Sequence, residues 1–134
     1  MHETTPTILI VDDHEIVRAG IRTLIARSRP RWQICAEAET GEQAIEKARS
    51  LRPDIIVLDI TMPAMSGLEV ASRISALNLG SRILIFTMHE SDRLVAEVRA
   101  AGAHGLVLKS QANRDLIRAI DKLLSGDQLC WLST

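Results

Sequence analysis

Five polar side chains in this 134-residue sequence each stand where an apolar run stops. Asp12 and Asp13 follow the run from Thr7 to Val11, and Asp59 follows Ile55 to Leu58. Thr87 follows Arg82 to Phe86, and Lys109 follows Gly105 to Leu108. Three carboxylates gathered in one place repel, and at least one pKa rises unless a cation intervenes. A hard divalent ion such as Mg²⁺ resolves this, because it takes oxygen ligands and typically uses one or two carboxylates plus a phosphate. With that charge neutralised, Asp59 can stay ionised and attack phosphorus to give an aspartyl-phosphate. Lys109 supplies a second positive pole, and the Thr87 hydroxyl can donate to a phosphoryl oxygen. Taken singly, each residue has an ordinary reading. Asp12-Asp13 and Asp59 suit helix or turn caps, Lys109 suits a solvated surface and Thr87 a turn. Four strand ends with complementary chemistry make a candidate site.

The apolar runs decide where those residues fall. The stretch from Asp54 to Pro63 is the most telling, since its unbroken Ile-Ile-Val-Leu core reads as a strand buried on both faces. Four further strands are expected at 7–11, 32–39, 82–86 and 105–108. Between them lie stretches of helical periodicity: Val17, Ile21, Leu24 and Ile25; then Ala44, Ile45, Ala48 and Leu51. Val70, Ala71, Ile74 and Leu77 follow, then Leu94, Val95 and Val98, and last Leu116, Ile120 and Leu123. Thr40 with Gln43 and Ser66 with Glu69 match the capping box, and Ser91 caps the fourth helix. Gly80, Gly102 and Gly126 mark helix ends. The run at 32–39 alternates apolar and polar residues, as an edge strand does. Strict alternation of buried strands and helices means an α/β fold, a doubly wound parallel sheet. The flavodoxin-like (βα)5 order 2-1-3-4-5 fits best. It sets strands one and three side by side, with their carboxyl ends at the topological switch point.

Composition narrows the function. The formal charge is −1, with one Phe, two Trp and no Tyr. There is no global basic field for nucleic acid and little to stack against bases or flavins. Cys35 and Cys130 sit in no metal-type spacing, and Cys35 reads as a small core hydrophobe. No run reaches the roughly 20 apolar residues of a membrane span and no leader pattern opens the chain, so a soluble, cytoplasmic protein is expected.

The segments Ile10-Val11-Asp12-Asp13-His14, Leu58-Asp59-Ile60-Thr61-Met62-Pro63 with Gly67, Phe86-Thr87-Met88-His89, and Gly102 to Ser110 together resemble the receiver domain of two-component response regulators. The details look most like the NarL/FixJ (LuxR-type) branch. The resemblance implies that Asp59 is the phosphoacceptor, charged from a phosphohistidine on a sensor histidine kinase. It implies that Asp12, Asp13, Asp59 and the main-chain carbonyl of Thr61 hold Mg²⁺, and that Thr87 and Lys109 read the phosphoryl group. It further implies a receiver domain over 1–126, with 127–134 beginning a linker to a C-terminal helix-turn-helix DNA-binding domain outside this chain. DNA would then be met only through that domain, with homodimerisation on phosphorylation and no membrane partner. The domain would be a switch acting only on its own phosphorylation, not an enzyme with an external substrate.

A stand-alone receiver acting through protein–protein contacts is the alternative. An Asp-nucleophile phosphatase or phosphotransferase is another, but it would want an acid two residues after Asp59, where Thr61 stands. A flavin carrier would want a glycine- and hydroxyl-rich phosphate loop in place of Asp12-Asp13. A phosphate-independent pseudo-receiver is disfavoured by the presence of all five key side chains. Two positions depart from the family pattern. Leu106 stands where an aromatic switch residue is common, which implies a smaller surface change. Ser110 replaces the proline usual after Lys109, so a cis peptide there would cost about 2.5–4 kcal/mol and a different loop path is expected. His14 and His89 flank the rim, His89 within reach of attacking water, and His104 is expected on the plain surface.

Overall fold

The computed structural model describes residues 5–88 and 91–126, together with the backbone of Cys130–Trp131. The expectation for His89, and those for the Cys130 side chain and the rest of the tail, lie outside the described residues.

The chain alternates β1 (Thr7–Val11), α1 (Glu15–Ser28), β2 (Gln33–Ala38), α2 (Gly41–Leu51), β3 (Ile55–Leu58), α3 (Gly67–Ala76), β4 (Arg82–Thr87), α4 (Asp92–Ala100), β5 (Gly105–Leu108) and α5 (Ala112–Leu124). All pairings are parallel and the order is 2-1-3-4-5, the flavodoxin-like arrangement. A sixth strand was not anticipated: β6 (Cys130–Trp131) pairs with β5, so the sheet runs past Gly126. Two residues are too short a run to show periodicity in sequence.

The sheet is the shared wall of two cores. On one face Leu9, Val11, Ile56, Leu58, Ile83, Ile85 and Leu106 meet α2, α3 and α4. On the other, Ile8, Ile10, Ile55, Val57, Leu84, Phe86 and Val107 meet α1 and α5. Burial on both faces is why β1, β3 and β4 read as continuous apolar runs. Strand β2 is the edge strand expected, only partly buried along most of its length. Cys35 lies on it, half-buried, with Sγ 3.5 Å from the Ile8 carbonyl, and burial raises its thiol pKa.

The helix caps follow the sequence signals. Thr40 Oγ1 accepts from Gln43 N–H, Ser66 Oγ from Glu69 N–H and Ser91 Oγ from Leu94 N–H. Gln43 returns its amide oxygen to Glu39 N–H rather than to its capping partner. Helix α3 ends at Ala76, before Gly80, because Asn78 already takes a left-handed conformation (φ 52°). Helix α5 opens at Ala112. A 3₁₀ turn over Lys109–Gln111 delivers the chain to Ala112, and no described peptide bond is cis.

Candidate functional site

Strand register builds the site. Val11 pairs with Leu58 across β1 and β3, so the next residues, Asp12 and Asp59, emerge side by side. Backbone bonds hold both: Asp12 N–H donates to Ala38 O and Asp59 N–H to Val11 O, each at 3.0 Å. Thr87 ends β4 and pairs with Leu108, which places Lys109 just beyond it on the same rim. The β3–α3 turn then folds back tightly. Gly67 N–H bonds Ile60 O at 2.8 Å, and a Cβ on Gly67 would lie 2.6 Å from Ile60 Cα and clash with the Asp59 carbonyl. Glycine is therefore required there for close approach.

The side chains converge as expected. Lys109 Nζ stands 2.9 Å from Asp12 Oδ2 and 3.4 Å from Asp59 Oδ1. Thr61 N–H donates to Asp59 Oδ1 at 3.2 Å. Asp12, Asp59 and Thr87 are all buried, at 1%, 3% and 2% exposure. Burial raises the Asp59 pKa first, and the Asp12 charge raises it further; Lys109 and the Thr61 N–H oppose them.

One oxygen from each of Asp12, Asp13 and Asp59, with a His14 ring nitrogen, lie within 4.8 Å of one another. Asp13 Oδ1 is buried and makes no hydrogen bond, although His14 Nδ1 lies 3.1 Å away. That contact has ion-pair distance without hydrogen-bond geometry. A buried, unsatisfied carboxylate oxygen beside two other carboxylates suits a hard divalent cation, whose preferred donors are oxygens. The residues present fit such an ion. His14 is largely exposed; its main-chain N–H donates to Asp12 Oδ1 at 2.9 Å, and its ring Nδ1 lies 3.3 Å from the same oxygen.

One expectation needs correction. His104 is not plain surface: it is half-buried at the amino-terminal end of β5, away from the strand ends that carry Asp59, and its Nδ1 accepts from Ile83 N–H at 3.0 Å. A ring acceptor facing an otherwise unpaired backbone donor explains why it turns inward. The sequence reading also missed Arg18, which is 8% exposed and donates to the Asp12 carbonyl at 2.6 Å. Its one sequence signal was a charged residue beside Val17 and Ile21 in the apolar stripe of α1.

Comparison with known proteins agrees with this geometry. Residues 8–121 match the family model of the response regulator receiver domain. The chain is 40% identical over 125 residues to the nitrate/nitrite response regulator protein NarL of Escherichia coli K12, covering 92% of this chain and 56% of that protein. It thus spans about half the length of the curated relatives it matches. Among solved structures, a LuxR-family two-component response regulator from Aurantimonas sp. SI85-9A1 superposes with a TM-score of 0.87 at 40% identity, covering 94% of this chain and 89% of that one. The signal receiver domain of a NarL regulator from Mycobacterium tuberculosis does so at 0.86 and 27% identity, covering 92% and 99%. The fold, the rim of acidic residues and these matches together place the chain in the response regulator receiver domain family, among the NarL/LuxR-type regulators.

Proposed function

We propose that this receiver is a phosphorylation switch in which Asp59 accepts a phosphoryl group from a sensor histidine kinase. The observation that carries the reading is the convergence of Asp12, Asp13, Lys109 and Asp59 on one buried rim. Asp59 Oδ1 is engaged by Lys109 and the Thr61 N–H, which orients the carboxylate. Oδ2 then attacks phosphorus. The new bond is Oδ2–P, and the bond that breaks joins phosphorus to the donor's imidazole nitrogen, which leaves with the electron pair. The nucleophile is already anionic and needs no base. Lys109 neutralises charge on the transferring group, and the Thr87 hydroxyl is the donor to a phosphoryl oxygen. Asp12, Asp13, Asp59 and the Thr61 carbonyl would hold Mg²⁺, which supplies charge neutralisation for phosphoryl transfer when bound.

Phosphorylation replaces the single negative charge of the Asp59 carboxylate with a phosphoryl group carrying roughly −1.5 to −2, and sets that charge farther out over the rim. That charge draws on Thr87 and Lys109 and shifts the packing of β4, α4 and β5. Leu106 is 1% exposed and packed with Ile85 and Val98, so the rearrangement is carried by small shifts rather than by a swinging ring. In the same reading the domain spans 1–126 with a linker beginning at 127, and the pairing of Cys130–Trp131 with β5 ties the start of that linker to the sheet. It works in the cytoplasm, homodimerises on phosphorylation, and controls an attached helix-turn-helix domain through which alone it meets DNA. No described helix is long and apolar enough to cross a membrane.

The test is phosphotransfer from acetyl phosphate with Mg²⁺, followed by intact mass. The wild type should gain one phosphoryl group and Asp59→Asn none; equal labelling of the two would remove Asp59 from its role. Hydrogen exchange with and without an acyl-phosphate mimic should show the largest change over α4, β5 and α5, and gel filtration should show the dimer form.

A further inference from the structure

Arg18 is the most buried of the basic side chains of known burial in α1 and the one that reaches the acidic rim from behind. It projects from the first turns of α1 with its side chain 10% exposed. Its guanidinium has a separate partner for each nitrogen. Nη1 donates to the Asp12 main-chain carbonyl at 2.6 Å, Nε to Glu37 Oε1 at 2.9 Å and Nη2 to Glu15 Oε1 at 2.7 Å. Glu39 adds a longer contact to Nη2 at 3.7 Å. Arg22, one turn on, pairs with the same two acids, bonding Glu37 at 2.6 Å and Glu15 at 2.9 Å, but bonds no atom of Asp12. The network reaches α2 as well, since Lys47 Nζ donates to the Glu37 carbonyl at 2.7 Å.

A cation beside the three carboxylates that would hold a divalent ion poses an electrostatic puzzle. Its charge opposes a second cation, and its burial carries a desolvation cost. Simple neutralisation of the rim is already the work of Lys109, which contacts Asp12 and Asp59 directly. Arg18 instead touches Asp12 through its main-chain carbonyl, at the peptide group that joins Asp12 to Asp13. The planar guanidinium holds that carbonyl, Glu37 and Glu15 from three nitrogens in a fixed fork, a geometry that the compact ammonium of a lysine does not reproduce.

We propose that Arg18 is a positioning residue for the acidic centre: through its bond to the Asp12 carbonyl it sets the path of the Asp12–Asp13 turn, and so the spacing of the two carboxylates that would face a divalent cation. This rests on the cation reading of the rim given above. Glu15 and Glu37 hold the guanidinium in place and offset its charge, so that geometry is gained without a net positive field at the rim.

Charge and position predict opposite signs, which makes the idea testable. Arg18→Met removes a positive charge, so an effect of charge alone would tighten Mg²⁺ binding. A lost positioning contact weakens it instead, by about tenfold or more, as outer-shell changes at metal sites commonly do. Arg22→Met removes the same charge from the same network without touching Asp12, and its Mg²⁺ affinity should stay within about twofold of wild type or tighten. Arg18→Lys keeps the charge but not the fork and should fall between, which covers the case in which the methionine variant does not fold. The probe is Mg²⁺ alone, titrated by amide NMR shifts.

A metal-free readout stands beside it. The His14 amide donates to Asp12 Oδ1 and the Asp12 amide to Ala38 O, and both should exchange faster in Arg18→Met or Arg18→Lys but not in Arg22→Met. An Mg²⁺ affinity equal to or tighter than wild type in the Arg18 variants, or equal losses in Arg18→Met and Arg22→Met, would overturn the proposal. A wild type that binds no Mg²⁺ would instead overturn the cation reading itself, with the exchange experiment still deciding whether Arg18 positions the turn.

Discussion

Ile83 and His104 are bonded to each other twice: the His104 N–H donates to the Ile83 carbonyl at 2.8 Å, and the Ile83 N–H donates to His104 Nδ1 at 3.0 Å. The second bond exists only while Nδ1 is unprotonated. Burial, and then the nearby Arg82 charge, lower the His104 pKa. The unfolded chain therefore binds a proton near pH 6.5, while the folded chain resists until lower pH. Stability is full above about pH 6.5 and declines as pH falls toward the depressed folded value. Thermal melts from pH 7.5 to pH 5 should show a steeper loss in wild type than in His104→Asn, whose side-chain oxygen accepts the bond without titrating. Parallel curves would show that this pair does not set the acid slope.

Asp59 carries the opposite sign. Its pKa is raised, by burial first and then by Asp12, so its charged form is a burden on the folded state at neutral pH. The group favours folding as pH drops through its folded pKa and disfavours it above. Asp59→Asn should therefore raise Tm in metal-free buffer at pH 7.5, by about 4 °C if roughly 1 kcal/mol of strain is relieved. The gain should shrink when Mg²⁺ is added, since the ion stabilises the wild type by mass action. Differential scanning calorimetry with and without Mg²⁺ measures both.

Lys109 is the positive partner of two buried carboxylates. Lys109→Met leaves Asp12 and Asp59 facing one another without it, which should cost roughly 1–3 kcal/mol in metal-free denaturant unfolding. Mg²⁺ should recover a larger share of stability in the variant than in wild type. Phosphoryl transfer from acetyl phosphate should still fall, because the charge on the transferring group loses one of its two poles.

Gly67 lies in the turn that brings the chain back beneath Asp59. A methyl group there overlaps the Asp59 carbonyl and Ile60 Cα, both main-chain atoms, so the loop must move. Gly67→Ala should cost about 1–3 kcal/mol, as overpacking usually does, and slow phosphorylation beyond what its stability loss explains. Comparing initial rates well below Tm separates the two effects.

Much of this molecule is legible in its residues. Asp12, Asp59, Thr87 and Lys109 stand out because four strands of one parallel sheet end in polar side chains of complementary chemistry on the same rim. The caps at Thr40, Ser66 and Ser91 are equally local, each closed by a residue three positions on. Arg18 and His104 were not legible. An arginine beside an apolar stripe looks the same whether it is solvated or buried, and the partners that bury Arg18 include Glu37, 19 residues away on another element. His104 finds its bond 21 residues away at the start of β4.

The sequence by itself determined the alternation of strands and helices, the fold class and the ends of β1, β3 and β5, with β2 and β4 read to within a residue, because hydrophobic period and capping chemistry act over a few residues. Only the tertiary structure decided the register of Val11 with Leu58 that sets Asp12 against Asp59, the sixth strand at Cys130–Trp131 and the bond from Arg18 to the Asp12 carbonyl. These depend on which elements meet in space, and no local periodicity encodes a contact between residues that become neighbours only when the sheet closes.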